Sequence, residues 1–157
     1  MLRASAAAHE VHAMPAASNS VVIARSPEDV FAFIADGTTA PRWRGGVTDV
    51  SLVSGSGRGA RYKQGVKGPG GRRVDADYEV TAYEPPSRLA FAATAGPVRP
   101  TGEYRLEPVS GGTQVTFSLD ATLGGLSRLL MGGAVQKSMD AEVGSLARLK
   151  SVLEGPA

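Results

Sequence analysis

Apolar and polar residues alternate with period 2 through most of the stretch from Val47 to Thr122, in segments punctuated by Gly, Pro and Ser. Successive side chains of an extended chain point to opposite faces, so this rhythm predicts antiparallel strands joined by hairpins. It is cleanest from Arg73 to Tyr83. There Val74, Ala76, Tyr78, Val80 and Ala82 share one face while Asp75, Asp77, Glu79 and Thr81 share the other, which reads as a single strand. Leu89, Phe91 and Ala93 extend the apolar face after a turn at Tyr83 to Arg88, and Tyr104 with Leu106, then Val115, Phe117 and Leu119, supply two more strands. Gly111-Gly112 provides the turn between those two.

The rhythm changes at both ends of this region. Val21, Val22 and Ile23 form a short strand that meets Ser26-Pro27-Glu28-Asp29 and an amphipathic run carrying Val30, Phe31, Phe33 and Ile34. Ser26 can accept from the first free amides, Pro27 suits the first helical position, and two acids favour the positive helix end, so a helix starts here. Near the C-terminus Met139, Val143, Leu146, Leu149 and Leu153 recur at three- and four-residue spacing. Glu142, Arg148 and Lys150 fall off that stripe and read as solvent-facing. A sheet with one apolar face must cover it, and this helix is the long element that can. Counted from Leu126 it would run about 40 Å at 1.5 Å per residue, with a bend or break expected at Gly132-Gly133, near a pocket mouth.

A chain of 157 residues fits one domain large enough to bury its apolar surface and still enclose a pocket. The domain is read as 18–155, with residues 1–17 as a flexible tail. No apolar run approaches the roughly 20 residues of a membrane-spanning helix. The tail is interrupted by His9, Glu10, His12 and Pro15, so it lacks a continuous signal-peptide core. Together with the absence of cysteine, this points to a cytoplasmic protein. Met14 stands just before the first strand and offers an internal start, which would make residues 1–13 dispensable.

Specific segments then carry a family resemblance: Ser26 to Phe31, Trp43, Val80-Thr81-Ala82-Tyr83-Glu84-Pro85-Pro86-Ser87-Arg88-Leu89, Tyr104 to Pro108, Gly111 to Phe117, and Leu146 to Lys150. In this order the chain resembles the SRPBCC superfamily, the helix-grip domains related to START and Bet v 1 proteins and often called polyketide cyclase/dehydrase. The resemblance implies an α+β fold. A curved seven-stranded antiparallel sheet would grip a long C-terminal helix, with two short helices after the first strand and a cavity between sheet and helix.

That cavity would be lined by Tyr62, Gln64, Val66, Tyr78, Val80, Leu89, Phe91, Tyr104, Leu106, Val115, Phe117 and Leu119, together with Trp43, and by Leu130, Met139 and Val143 from the helix. Ligand pockets combine an apolar lining with a few orienting polar groups, here Tyr62, Gln64, Tyr78 and Tyr104. Taken singly, each tyrosine reads more readily as a core aromatic with its hydroxyl on a backbone carbonyl. Arg99 is the arginine expected at the rim. Asp75, Asp77 and Glu79 fall on the outer face, where Arg61 and Lys63 can pair with them.

The histidines, His9 and His12, both lie in the tail, so neither a metal site nor a cofactor is implied. Among the carboxylates Asp36 reads as a cap, Asp120 as outward-facing, and Glu103 as a leftover, so no catalytic constellation is identified. Arg58, Arg61, Lys63, Lys67, Arg72 and Arg73 form an acid-free run on one hairpin. It could rest on an anionic membrane surface or dock an acidic carrier protein. Its one aromatic, Tyr62, is turned inward by alternation, so no stacking platform accompanies the charges, which argues against nucleic acid.

Three functions follow from this reading. The first is binding or carriage of a hydrophobic small molecule such as a lipid, an isoprenoid quinone or a polyketide-like ring. The second is a cofactor-independent polyketide cyclase or dehydratase, and the third an interaction module docking through the basic hairpin at 58–73.

Overall fold

The computed structural model describes residues 16–96, 98–121 and 125–155, apart from the side chains of 69 and 125–132. His9, His12 and Met14 lie outside them. The elements are β1 (Ala16–Ile23), α1 (Pro27–Ala35), a 3-10 helix (Gly37–Arg42), β2 (Val47–Ser54), β3 (Arg61–Lys67), β4 (Arg73–Asp75), β5 (Tyr78–Glu84), β6 (Arg88–Ala93), β7 (Thr101–Val109), β8 (Gly112–Asp120), α2 (Gly125–Gly144) and α3 (Leu146–Glu154). The first strand thus opens at Ala16, two residues inside the stretch read as tail, and Ala16 pairs with Asp120.

Seven strands form one curved antiparallel sheet in the order β1-β8-β7-β6-β5-β3-β2, and the three-residue β4 pairs with β3 beside that path. Alternation is strict in β8, where Thr113, Val115, Phe117 and Leu119 are buried and the residues between them are partly exposed. The junction after β1 forms as its residues dictate: the Ser26 hydroxyl accepts from the Asp29 amide at 3.2 Å. α1 then buries Val30, Phe31 and Ile34. With the 3-10 helix it makes the two short helices after the first strand.

Two expectations are corrected. The strand read from Arg73 to Tyr83 is broken at Ala76-Asp77 into β4 and β5. At the break the Ala76 amide donates to the Gln64 carbonyl at 2.8 Å, while the Gln64 amide donates to Asp77 Oδ1 at 3.0 Å. Asp77 therefore replaces a backbone partner with its carboxylate instead of facing solvent. The helix also runs unbroken through Gly132-Gly133. A Cβ at Gly133 would meet nothing within 4 Å, so glycine there costs only its propensity, about 1 kcal/mol. The interruption falls at Gly144-Ser145, where the Ser145 amide reaches back only three residues to the Glu142 carbonyl at 3.1 Å, tightening the last turn.

Side chains tie the two C-terminal helices to β1. Gln136 brackets Ala16, accepting from its amide at 3.1 Å and donating to its carbonyl at 2.6 Å. Asn19 Nδ2 donates to the Val143 carbonyl at 3.3 Å, Lys150 Nζ donates to the Val22 carbonyl at 2.7 Å, and Glu154 Oε2 accepts from the Ala24 amide at 2.7 Å. Leu146 and Leu149 of α3 are fully buried in the core with Ile23, Val115 and Phe117. The helices are thereby fixed along one side of the sheet, and a cavity remains between α2 and the strands farther round its curve.

Candidate functional site

One aromatic from each of five strands meets the next across the inner face. Tyr62 of β3 stacks on Tyr78 of β5 with ring centroids 4.9 Å apart, and Tyr78 tilts against Phe91 of β6 at 5.5 Å. Phe91 lies 6.3 Å from Tyr104 of β7, which stacks on Phe117 of β8 at 4.2 Å. Trp43 meets Tyr104 edge-on at 6.2 Å. The row lines a cavity of about 480 Å³ whose wall also takes Ile34, Val80, Leu89, Leu119, Val135 and Met139. That size and lining suit a small organic molecule.

The structure brings Trp43, Tyr62, Gln64, Tyr78, Phe91, Tyr104, Phe117 and Met139 to the wall. Val143 is instead buried in the core, as are Leu106 and Val115. Leu130 lies in α2 with its side chain outside the described residues. Arg99 is exposed and away from the wall, although its neighbours Val98 and Pro100 contribute to it.

Two of the polar candidates turn out to be occupied. The Tyr62 hydroxyl accepts from the Gly37 amide at 3.4 Å and donates to the Ala35 carbonyl at 3.5 Å. Gln64 Nε2 donates to the Ala76 carbonyl at 3.2 Å, and its Oε1 accepts from Arg44 Nη1 at 3.1 Å. The hydroxyls of Tyr78 and Tyr104 form no hydrogen bond among the described residues, and the buried Trp43 Nε1 has no partner. Among the described residues these two phenols and the Trp43 indole N–H are hydrogen-bonding groups left unpartnered at the wall.

Sequence reasoning missed the charged pair that stands beside them. Arg44, just after the 3-10 helix, points into the cavity wall, and its Nε donates to Glu142 Oε1 of α2 at 2.9 Å, with Nη2 on the same oxygen. Glu142 is accordingly not solvent-facing. Burial alone would lower the Arg44 pKa, but the charge of Glu142 and its hydrogen bond more than reverse this, so the guanidinium stays ionised. Burial raises the phenol pKa of both Tyr78 and Tyr104 while the Arg44 charge partly counters it. Both remain protonated donors at neutral pH. The end of the cavity near Arg44 is thus donor-rich, and the remainder of its wall is largely hydrocarbon.

Other ionisable groups are accounted for elsewhere. Asp36 caps the 3-10 helix by accepting from the Thr38 amide at 3.1 Å. Glu103 is engaged by Arg88 at 2.7 Å and by Arg105. Burial would raise its pKa, but those two arginines pull it below the usual value. Among the described residues, no group of His, Cys, Asp and Glu could hold a metal ion, and no helix is long and apolar enough to cross a membrane.

The basic hairpin is also changed by the fold. Arg73 pairs with Asp49 at 2.8 Å and Asp75 at 2.7 Å, and Arg61 lies 3.7 Å from Glu79. Acids from β2, β4 and β5 thus border a run that looks acid-free along the chain. Among the described residues Lys63 forms no ion pair, and Lys67 reaches the cavity mouth.

Residues 14–154 match the family described as polyketide cyclase / dehydrase and lipid transport. An uncharacterized protein of Mycobacterium tuberculosis is 32% identical over 114 residues, which cover 70% of this chain and 67% of that protein. A START superfamily protein from Mycobacterium smegmatis superposes with a TM-score of 0.66 at 15% identity, covering 88% of this chain and 97% of the other. The Zhui aromatase/cyclase from Streptomyces sp. R1128 gives 0.70 at 15% identity, covering 90% and 97%. At such identities the two structures speak for the fold alone, whereas the family match spans strands, cavity and both C-terminal helices: the chain belongs to the polyketide cyclase / dehydrase and lipid transport family, as an SRPBCC-type domain.

Proposed function

We propose that the protein binds and carries a hydrophobic small molecule, a lipid, an isoprenoid quinone or a polyketide-like ring, between its sheet and α2. The observation that carries this reading is the cavity of about 480 Å³, aromatic and aliphatic over most of its wall with one donor-rich end. An apolar body gains from leaving water, and the few polar groups fix its orientation. Family membership supports the same reading.

A second reading, a cofactor-independent cyclase or dehydratase, draws on one observation. Tyr78 and Tyr104 keep protonated hydroxyls at the wall beside the Arg44 charge, where they could donate to a ketone oxygen as it becomes an enolate.

Extraction of protein purified from its native host, followed by mass spectrometry, tests both readings. A stoichiometric lipid or quinone is the result expected of a carrier, and a cyclised ketide that of the enzyme. Repeatedly empty protein that also fails to take up a neutral apolar fluorophore would overturn cavity binding altogether.

A further inference from the structure

We infer that the donor-rich end of the cavity is an anion site, and that a hydrophobic acid binds by taking Arg44 from Glu142. The inference rests on the ligand-binding reading above and narrows it to a charge class. In the resting protein the Glu142 carboxylate occupies the place of the ligand's own.

The two members of the ion pair are held unequally. Arg44 has a second anchor, since its Nη1 donates to Gln64 Oε1 at 3.1 Å. Gln64 is itself fixed, only 4% exposed, by its Nε2 on the Ala76 carbonyl and its amide on Asp77. The guanidinium therefore keeps its position if Glu142 departs. Glu142 has no comparable hold: among the described residues its carboxylate meets Arg44 alone, through Oε1, and Oε2 is unengaged. It is also the more exposed partner, its side chain 19% accessible against 12% for Arg44.

Charge balance supplies the next step. A second carboxylate entering beside the first would leave one negative charge uncompensated against an apolar wall, a costly arrangement. The weaker-held carboxylate yields and regains water, while the incoming one gains a planar donor group suited to two-oxygen acceptors. Three of the five guanidinium N–H groups are engaged at rest, by Glu142 and Gln64, so two remain for an arriving oxyanion before exchange is complete. The protonated Tyr78 and Tyr104 hydroxyls stand near enough to Arg44 to feel its charge and can donate to the same oxygens. An alcohol or an amine offers this end either no charge or the wrong one.

Calorimetric titration with 2-naphthoate, methyl 2-naphthoate and 2-naphthylmethylammonium tests the inference. The wild-type protein should bind the acid about tenfold more tightly than the ester, as a charge-assisted pair exceeds a neutral one. Glu142→Gln should tighten the acid by a further factor of about ten and leave the ester unchanged, because the internal competitor is gone. Arg44→Gln should erase the preference and still bind the ester. Equal affinity for acid and ester in the wild-type protein, or weaker acid binding in Glu142→Gln, would overturn the anion site and leave the pair a structural brace. The wild-type ratio needs no variant to fold. Failure of the ester as well as the acid would overturn the cavity reading itself, a separate result from failure of the acid alone.

Discussion

The Tyr78 hydroxyl occupies the place that a Cβ on Gly37 would take. The Tyr62 ring crowds the same spot, its Cε1 only 2.7 Å from that Cβ. Absence of a side chain at Gly37 is what lets the first two members of the aromatic row stack beneath the 3-10 helix. Gly37→Ala should therefore destabilise the protein by about 1–3 kcal/mol, the usual range for overpacking. Tyr78→Phe in that background should recover part of the loss, since it removes the nearest clashing atom. Chemical denaturation of the two single variants and the double would show positive coupling; strict additivity would rule out the clash as the cause.

The Arg44–Glu142 pair should behave as a partly buried pair does. Removing one member strands the other, so Arg44→Met or Glu142→Leu alone should cost about 2–4 kcal/mol, slightly below fully buried cases. The double variant Arg44→Met with Glu142→Leu should lose much less than the sum, because both charges leave together. Urea midpoints at constant slope provide the measurement.

The three tyrosines should separate by role. Tyr62 spends its hydroxyl on the backbone, so Tyr62→Phe should cost about 0.5–1.5 kcal/mol of stability and leave affinity unchanged. Tyr78→Phe and Tyr104→Phe should spare stability and weaken an oxygen-bearing ligand several-fold. If turnover of a poly-ketone is found, loss of a proton donor among them should cost about 100-fold in rate with binding retained. Ala93→Trp, which places a large ring at the wall, should abolish uptake of an apolar fluorophore in a folded protein.

Acid stability should depend on the β2–β4 surface. Hydrogen bonds from Arg73, at 2.8 and 2.9 Å, and from Thr48 hold the Asp49 pKa down to about 2 against an ordinary 3.8. A carboxylate depressed in the folded state stabilises fully above its unfolded value and loses that contribution as pH falls through its folded value. The difference in Tm between the wild-type protein and Asp49→Asn should thus be constant above pH 4 and shrink between about 3.8 and 2. Because the pair is exposed, added salt should reduce it at every pH.

Local rules made most of the architecture readable in the chain. Ser26-Pro27-Glu28-Asp29 specified a helix start, and the alternation in β8 identified Val115, Phe117 and Leu119 as buried, though not the polar Thr113. What escaped depends on groups distant in sequence. Glu142 sits one step off an apolar stripe, the usual place of a solvated acid, and its partner lies 98 residues away. Arg44 stands between Trp43 and two glycines, where nothing local turns it inward. The break in the strand at Ala76-Asp77 kept the parity of the flanking residues, so alternation ran straight through it. The aromatic row was legible as five inward-facing positions, but its alignment depends on strand register. Tyr104 lies directly opposite Phe117, and Tyr62 opposite Tyr78, pairings no single segment encodes.

The bonds from Gln136, Lys150 and Glu154 to the β1 backbone bear on self-association. A border strand ordinarily offers bare amides and carbonyls onto which another molecule can graft a strand of its own. Here the Ala16 amide and carbonyl, the Val22 carbonyl and the Ala24 amide are already taken by helix side chains. At the opposite border β2 carries the exposed Leu52 and Val53, and its ladder with β3 is irregular between Val47 and Asp49 and again between Leu52 and Ser54. Such kinks spoil a flat template. Side chains of α2, which closes the cavity, and of α3, which does not line it, thus also protect one border from fibril-like growth, while uneven pairing protects the other.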